Sequence, residues 1–148
     1  MSYLFIVSSY LIGSINFAYL VAKYKKLDIS SSGSGNPGTS NVMRTIGKKY
    51  AAFVLIGDVL KGFLPVLLFS ENLLVCGFAA VIGHIYPIFY KFKGGKGVAT
   101  YIGVYIAFST LNPVSYDLFE NSYFLFLNIP LLAAFYFVVF KISRISAI

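Results

Sequence analysis

Charge is what this sequence has least of. Asp, Glu, Lys and Arg make up 11% of its 148 residues, against nearer a quarter in soluble domains. So few charges cannot solvate the surface of a globule this size, which excludes an ordinary soluble fold and makes the lipid bilayer the expected solvent. The one cysteine, Cys76, lies inside an apolar run, which excludes a disulfide framework or a cysteine-rich zinc cluster. The one histidine, His84, leaves no Ser-His-Asp triad visible. Nothing basic precedes the first apolar run, and Lys23, Lys25 and Lys26 close it where a small-residue cleavage site would be needed. That pattern argues against a secretory signal peptide.

What is present is apolar: 58% of the residues are hydrophobic. Five runs are long enough to test as membrane spans: 3–22, 50–69 (interrupted only by Asp58 and Lys61), 73–90, 98–114 and 123–140. A helix needs about 20 residues, range roughly 17–25, to cross the hydrocarbon. The fourth run is the weakest, because Asn112-Pro113 breaks its end. The expected fold is all-α, a polytopic integral membrane bundle of about five spans in a single domain over residues 1–148.

The formal net charge of +7 would point to nucleic acid in a soluble protein, but here position matters more than sum. With the N-terminus outside, the inner loops receive Lys23, Lys25, Lys26, Arg44, Lys48, Lys49, Lys91, Lys93, Lys96, Lys141 and Arg144, while Glu71, Asp117 and Glu120 fall outside. The positive-inside rule therefore sets the orientation, and no nucleic-acid partner is implied.

Two inner loops stand out. Residues 31–44 read SSGSGNPGTSNVMR, and Gly33, Gly35 and Gly38 fit G-x-G-x-x-G. The dinucleotide reading fails, because it requires a strand before the motif and a helix after it. A flexible linker is the plain alternative, but a spacer has no need of Asn36, Asn41 and Arg44. Glycines allow backbone amides to form an anion nest, and the Arg44 fork suits phosphate. Thr39, Ser40 and Asn41 are expected to cap a short helix facing that anion. The second loop, Tyr90 to Thr100, reads YKFKGGKGVAT. It is not a Walker A loop, but Lys93, Gly94, Gly95, Lys96 and Gly97 combine exposed amides with point charges. The alternative is a basic anchor to anionic lipid. Two such loops on one face suggest a substrate with more than one phosphate, or two phosphate-bearing substrates.

Ionisable groups inside spans complete the reading. Asp58 and Lys61 stand at i, i+3, so they share a helix face and can pair, as a structural pin or as part of a site. His84 is expected to hydrogen-bond backbone, and Pro87 to kink its helix and free carbonyls.

Taken together, GSGNPGTSNVMR, GDVLKG and GHIYPIFYKFKGGKGVAT resemble the signature segments of bacterial acyl-phosphate:glycerol-3-phosphate acyltransferases of the PlsY type. The opening SYLIGSINFAYLVAK is similar to that family's first helix, so the resemblance covers about residues 9–103. Thr39 and Ser40 stand where the family has Ala and Thr. The resemblance implies transfer of an acyl group from acyl phosphate to glycerol 3-phosphate. The products would be lysophosphatidate and phosphate, in the first step of phospholipid synthesis, at the cytoplasmic face of a bacterial inner membrane. It implies catalytic roles for Ser34, Arg44 and Lys96. Gly33, Gly35, Asn36, Gly38, Thr39, Ser40, Asn41, Lys93, Gly94, Gly95 and Gly97 would hold substrate phosphate, supported by Asp58, Lys61 and His84. Acyl phosphate, glycerol 3-phosphate and membrane lipids are the implied partners, and no metal, coenzyme A or covalent acyl-enzyme is called for. Family members carry a further inner segment, H-x-x-N-I-x-R, whose His and Asn contribute to the site. It does not occur here, so a C-terminally truncated member is expected. Two other classes compete: an inactive remnant that binds anionic lipid or glycerol phosphate, and a small anion transporter. The sequence shows no internal repeat, which ranks the transporter last.

Overall fold

The computed structural model describes residues 2–69 and 73–111. Every regular element among them is helical: α1 (Ser2–Gly13), α2 (Phe17–Tyr24), α3 (Thr39–Thr45), α4 (Lys48–Leu68), α5 (Leu73–Ile85), a 3-10 turn (Ile88–Tyr90) and α6 (Val98–Leu111). Residues 1–108 form one compact unit; residues 109–148 form a second, of which only the end of α6 is described.

Among the described residues, three stretches are long and apolar enough to cross a membrane: Tyr3–Tyr24, Lys48–Leu68 and Leu73–Tyr90. They coincide with the first three expected spans. The fourth begins at Val98 as expected and is helical through Leu111, the last described residue. The expected fifth span, 123–140, and the Asn112-Pro113 break lie outside the described residues.

The helices are sorted inside out relative to a soluble bundle. On α4 the buried stripe is Ala51, Val54, Gly57, Asp58, Lys61, Gly62, Pro65 and Val66, at helical spacing. The opposite face exposes Phe53, Leu55, Ile56, Leu60, Leu64 and Leu67. Small and polar groups inward with large apolar groups outward is the arrangement lipid favours, because association there depends on close backbone approach and interhelical polar contacts. Gly13 of α1 lies against the Ala80 backbone of α5, where a methyl group would collide. Gly62 of α4 lies against the Thr100 backbone of α6 in the same way.

The first span is not one helix. Gly13, Ser14 and Asn16 are poor helix formers, and Ser and Asn compete for backbone partners. The chain turns extended at Asn16 (φ −104, ψ 104), whose side chain caps α2 by accepting the Tyr19 amide at 3.1 Å. By hydropathy 3–22 is one uninterrupted run; this internal cap divides it.

A local core then fixes the first glycine loop. Ala18, Val21 and Ala22 of α2, Ile29, Val42 of α3, and Ala51 and Val54 of α4 form a buried cluster. Ile29 and Val42 anchor the two ends of the loop there, so it is a packed element rather than a tether.

Candidate functional site: two glycine loops over a buried ion cluster

The first loop is built around its own backbone. Asp28 starts it, its carboxylate accepting from the Ser30 amide at 2.9 Å and the Ser30 hydroxyl at 2.6 Å. Those bonds, the hydroxyl first, hold the Asp28 pKa below the usual carboxylate value. Gly33 and Gly35 adopt φ of +61° and +70°, a left-handed conformation that costs glycine little. Asn41 is buried inside the curve. Its Oδ1 accepts the Ser34 amide at 2.9 Å, and its Nδ2 donates to Ser32 O at 2.9 Å and Ile29 O at 3.4 Å. Asn41 was expected to hold substrate phosphate; in the structure its amide bonds the loop's own backbone. The expected short helix forms, but Thr39, Ser40 and Asn41 lie within it and Gly38 is its cap, without a side-chain bond. Ser34, Ser40 and Arg44 are exposed, and Asn36 is half-buried.

The second loop closes the end of α5. Pro87 stops that helix, as its missing amide requires, and leaves carbonyls without helical partners. His84 O accepts the Gly95 amide at 3.1 Å and Ile85 O accepts the Gly94 amide at 3.1 Å. Both amides were expected to be exposed for an anion; they are engaged in capping α5. Of the loop's charged groups, Lys93 is exposed and Lys96 half-buried, while Gly95 and Gly97 are buried.

Beneath both loops lies a cluster of ionisable groups. Asp58, Lys61 and His84 are each 2–3% exposed. Lys61 Nζ lies 2.8 Å from Asp58 Oδ1, and His84 Nδ1 lies 3.5 Å from the same oxygen. The i, i+3 pairing expected of Asp58 and Lys61 therefore forms. His84 was expected to satisfy itself on backbone; its Nδ1 turns to the carboxylate instead. Lys61 Nζ also donates to Ile15 O at 2.6 Å, a carbonyl freed where the first span breaks.

The loops meet over this cluster. Asn16 Nδ2 reaches Pro37 O of the first loop at 3.4 Å. A methyl group added at Gly95 of the second loop would lie 3.2 Å from the same oxygen and collide with His84 Nε2. Tyr19 of α2 stacks on Tyr90, at the start of the second loop, with centroids 4.6 Å apart. Loops more than 50 residues apart in sequence thus share one floor. Sequence reasoning missed Asn16, Pro37 and the Tyr19–Tyr90 stack; Asn16 alone carried a signal, as an Asn preceding a helical run.

With that geometry in place, comparison with known proteins is direct. The profile of the glycerol-3-phosphate acyltransferase family matches residues 3–148. The chain belongs to this family. A glycerol-3-phosphate acyltransferase of Aquifex aeolicus is 47% identical over 111 residues, covering 70% of this chain and 58% of the relative. One from Methylobacillus flagellatus is 51% identical over 115 residues, 72% of this chain and 58% of its own length. One from Pseudomonas aeruginosa is 40% identical and covers all of this chain and 74% of the relative. The matched part thus spans a little over half the length of the first two acyltransferases. Among solved structures, PlsY, an integral membrane glycerol 3-phosphate acyltransferase in its glycerol 3-phosphate form, superposes with a TM-score of 0.68 at 38% identity, over 97% of this chain and 72% of that one. Its lysophosphatidic acid form gives 0.65 at the same identity. The membrane-bundle architecture of the acyltransferase family is therefore this chain's own, and it is a multi-pass membrane protein.

Proposed function

We propose that this chain serves acyl transfer from acyl phosphate to the 1-hydroxyl of glycerol 3-phosphate, at the cytoplasmic face of a bacterial inner membrane. The observation that carries the reading is the meeting of the two glycine loops at Pro37 O and Gly95, over a buried ion cluster. In this reading the exposed Arg44 fork and Lys96 receive the phosphates, and the Ser34 hydroxyl lies at the reacting end of the first loop. The glycerol hydroxyl oxygen attacks the acyl carbonyl carbon, and an ester C–O bond forms. The bond from that carbon to the phosphate oxygen breaks, and the hydroxyl proton leaves with the phosphate. Acyl phosphate is a mixed anhydride with a good leaving group, so the protein's part is to position the substrates and neutralise developing charge. The inside-out exterior keeps the acyl tail in lipid while the reacting head stays at the loops.

The alternative reading is a site that binds glycerol 3-phosphate without completing transfer. A single assay separates the two. Purified protein in nanodiscs receives palmitoyl phosphate with labelled glycerol 3-phosphate, and lysophosphatidate and phosphate are followed together. One-to-one formation of both products, lost in Ser34→Ala and Arg44→Ala, supports transfer. Binding with no product supports the second reading, and neither binding nor product from folded protein overturns both.

A further inference from the structure

We propose that Lys61, Asp58 and His84 form a buried lock that joins the break in the first span to the second glycine loop, and so act as positioning residues for both loops; their effect on substrate rests on the functional reading above. Each side of the lock is explicit. Lys61 Nζ holds Ile15 O at 2.6 Å, one residue before Asn16, whose side chain both starts α2 and donates to Pro37 O. A shift at Ile15 therefore moves the first loop. On the other side, His84 faces Asp58 through Nδ1, presents Nε2 to Gly95, and accepts the Gly95 amide through its carbonyl. A shift of His84 therefore moves the second loop. Asp58 sits between them, 2.8 Å from Lys61 and 3.5 Å from His84 through one oxygen.

The chemistry suits a lock better than ordinary packing. A charged pair removed from water is costly unless it is paired and its remaining donors are used. Here the spare Lys61 donor goes to a carbonyl that a broken helix leaves without a partner, a group expensive to orphan in lipid. Neither Asp58 Oδ1 nor His84 Nδ1 has a well-aligned hydrogen bond among the described residues, so the two sides are joined by the Lys61–Asp58 ion pair and by the close fit of the His84 ring against the same carboxylate oxygen. A pair that served only to pin α4 would have no need to touch both the span break and the second loop.

The test compares three variants of the full chain in nanodiscs by hydrogen–deuterium exchange and by glycerol 3-phosphate binding. Lys61→Met with Asp58→Asn removes both charges and the bond to Ile15 O while keeping volume. Lys61→Gln with Asp58→Asn also removes the charges but keeps a donor for Ile15 O. The lock predicts at least tenfold faster exchange in segments 10–20 and 90–98 of the Met variant, with segment 48–57 unchanged. It predicts glycerol 3-phosphate affinity at least tenfold weaker, and recovery of the slow exchange at 10–20 and of most of the affinity in the Gln variant. His84→Asn, which leaves Lys61, Asp58 and Ile15 in place, should speed exchange at 90–98 alone. Uniformly faster exchange, or wild-type exchange at both segments in the Met variant, overturns the lock; so does wild-type exchange at 90–98 in His84→Asn. Exchange does not depend on activity. If no form binds glycerol 3-phosphate while exchange behaves as predicted, the lock stands and the functional reading falls.

Discussion

Removing the Asn41 side chain is the sharpest way to ask what shapes the first loop. Asn41→Ala deletes one acceptor and two donors; the Ser34 amide loses its side-chain partner, while Ser32 O and Ile29 O lose one of two donors and keep the Gly35 and Ser32 amides. A typical hydrogen bond contributes about 0.5–1.5 kcal/mol, and a buried group left unsatisfied costs about 1–3 kcal/mol. Only the bond to Ile29 is fully buried; water reaches the other two and lowers their cost. The loop should therefore lose about 2–4 kcal/mol against local opening, which is roughly 30- to 700-fold more open loop at about 1.4 kcal/mol per decade. Trypsin reads this directly, because the exposed Lys26 and Arg44 flank the loop. Cleavage at both sites should accelerate in proportion, while the buried faces of α4 and α5 stay intact. Asn41→Asp sharpens the test: a carboxylate can still accept from Ser34 but meets two carbonyls with no donor, so it should be no better than alanine at neutral pH. An alanine variant cut at the wild-type rate, or an aspartate variant more resistant than alanine, would refute the account of Asn41 as the loop's organiser.

Three further outcomes follow from the same geometry. Gly95→Ala forces a methyl group against His84 Nε2 and to 3.2 Å from Pro37 O; overpacking of about 1–3 kcal/mol should appear as a lower thermal midpoint together with weaker glycerol 3-phosphate binding. Asp28 has its pKa lowered by Ser30, so its stabilising contribution is complete above the ordinary Asp value near about 3.9 and is lost as pH falls through the lower folded value. A carboxyl NMR titration should find its midpoint below the ordinary value and moving up in Ser30→Ala; an unchanged midpoint counts against the hydrogen-bond cause. Single cysteines at the exposed positions of Ser34 and Lys93 should label from the cytoplasmic side alone, with little background from the buried Cys76, and labelling from opposite sides would contradict the topology.

Much of this fold is legible in the amino-acid sequence because lipid imposes simple rules. Apolar runs gave the first three spans and the start of α6 at Val98, and i, i+3 spacing gave the Asp58–Lys61 pair. The break at Asn16 was hidden because 3–22 carries no charge and reads as one apolar run; hydropathy is blind to a cap. The role of Lys61 was hidden for another reason: its partner Ile15 O is a backbone group 46 residues away, and side-chain chemistry leaves no mark of a carbonyl's need. The glycine loops were recognisable as special, but glycine permits either an open anion nest or a backbone packed against a helix end. Only the position of α5, stopped at Pro87, decides that the Gly94 and Gly95 amides face inward. Asn41 is ambiguous for a related reason, since a buried loop organiser and a substrate ligand share the same polar side chain.

If the two loops together make one site for phosphate-bearing substrates, both must contribute to affinity. Equilibrium binding of glycerol 3-phosphate to the full chain in nanodiscs, for wild type, Arg44→Ala and Lys96→Ala, measures each loop's share. A charge-assisted contact is worth about 1.5–3 kcal/mol, or roughly 10- to 150-fold in affinity. Each single change, one in each loop, should weaken binding by that factor with the fold retained. Wild-type affinity in either variant, or no binding by folded wild-type protein, would contradict a single shared site.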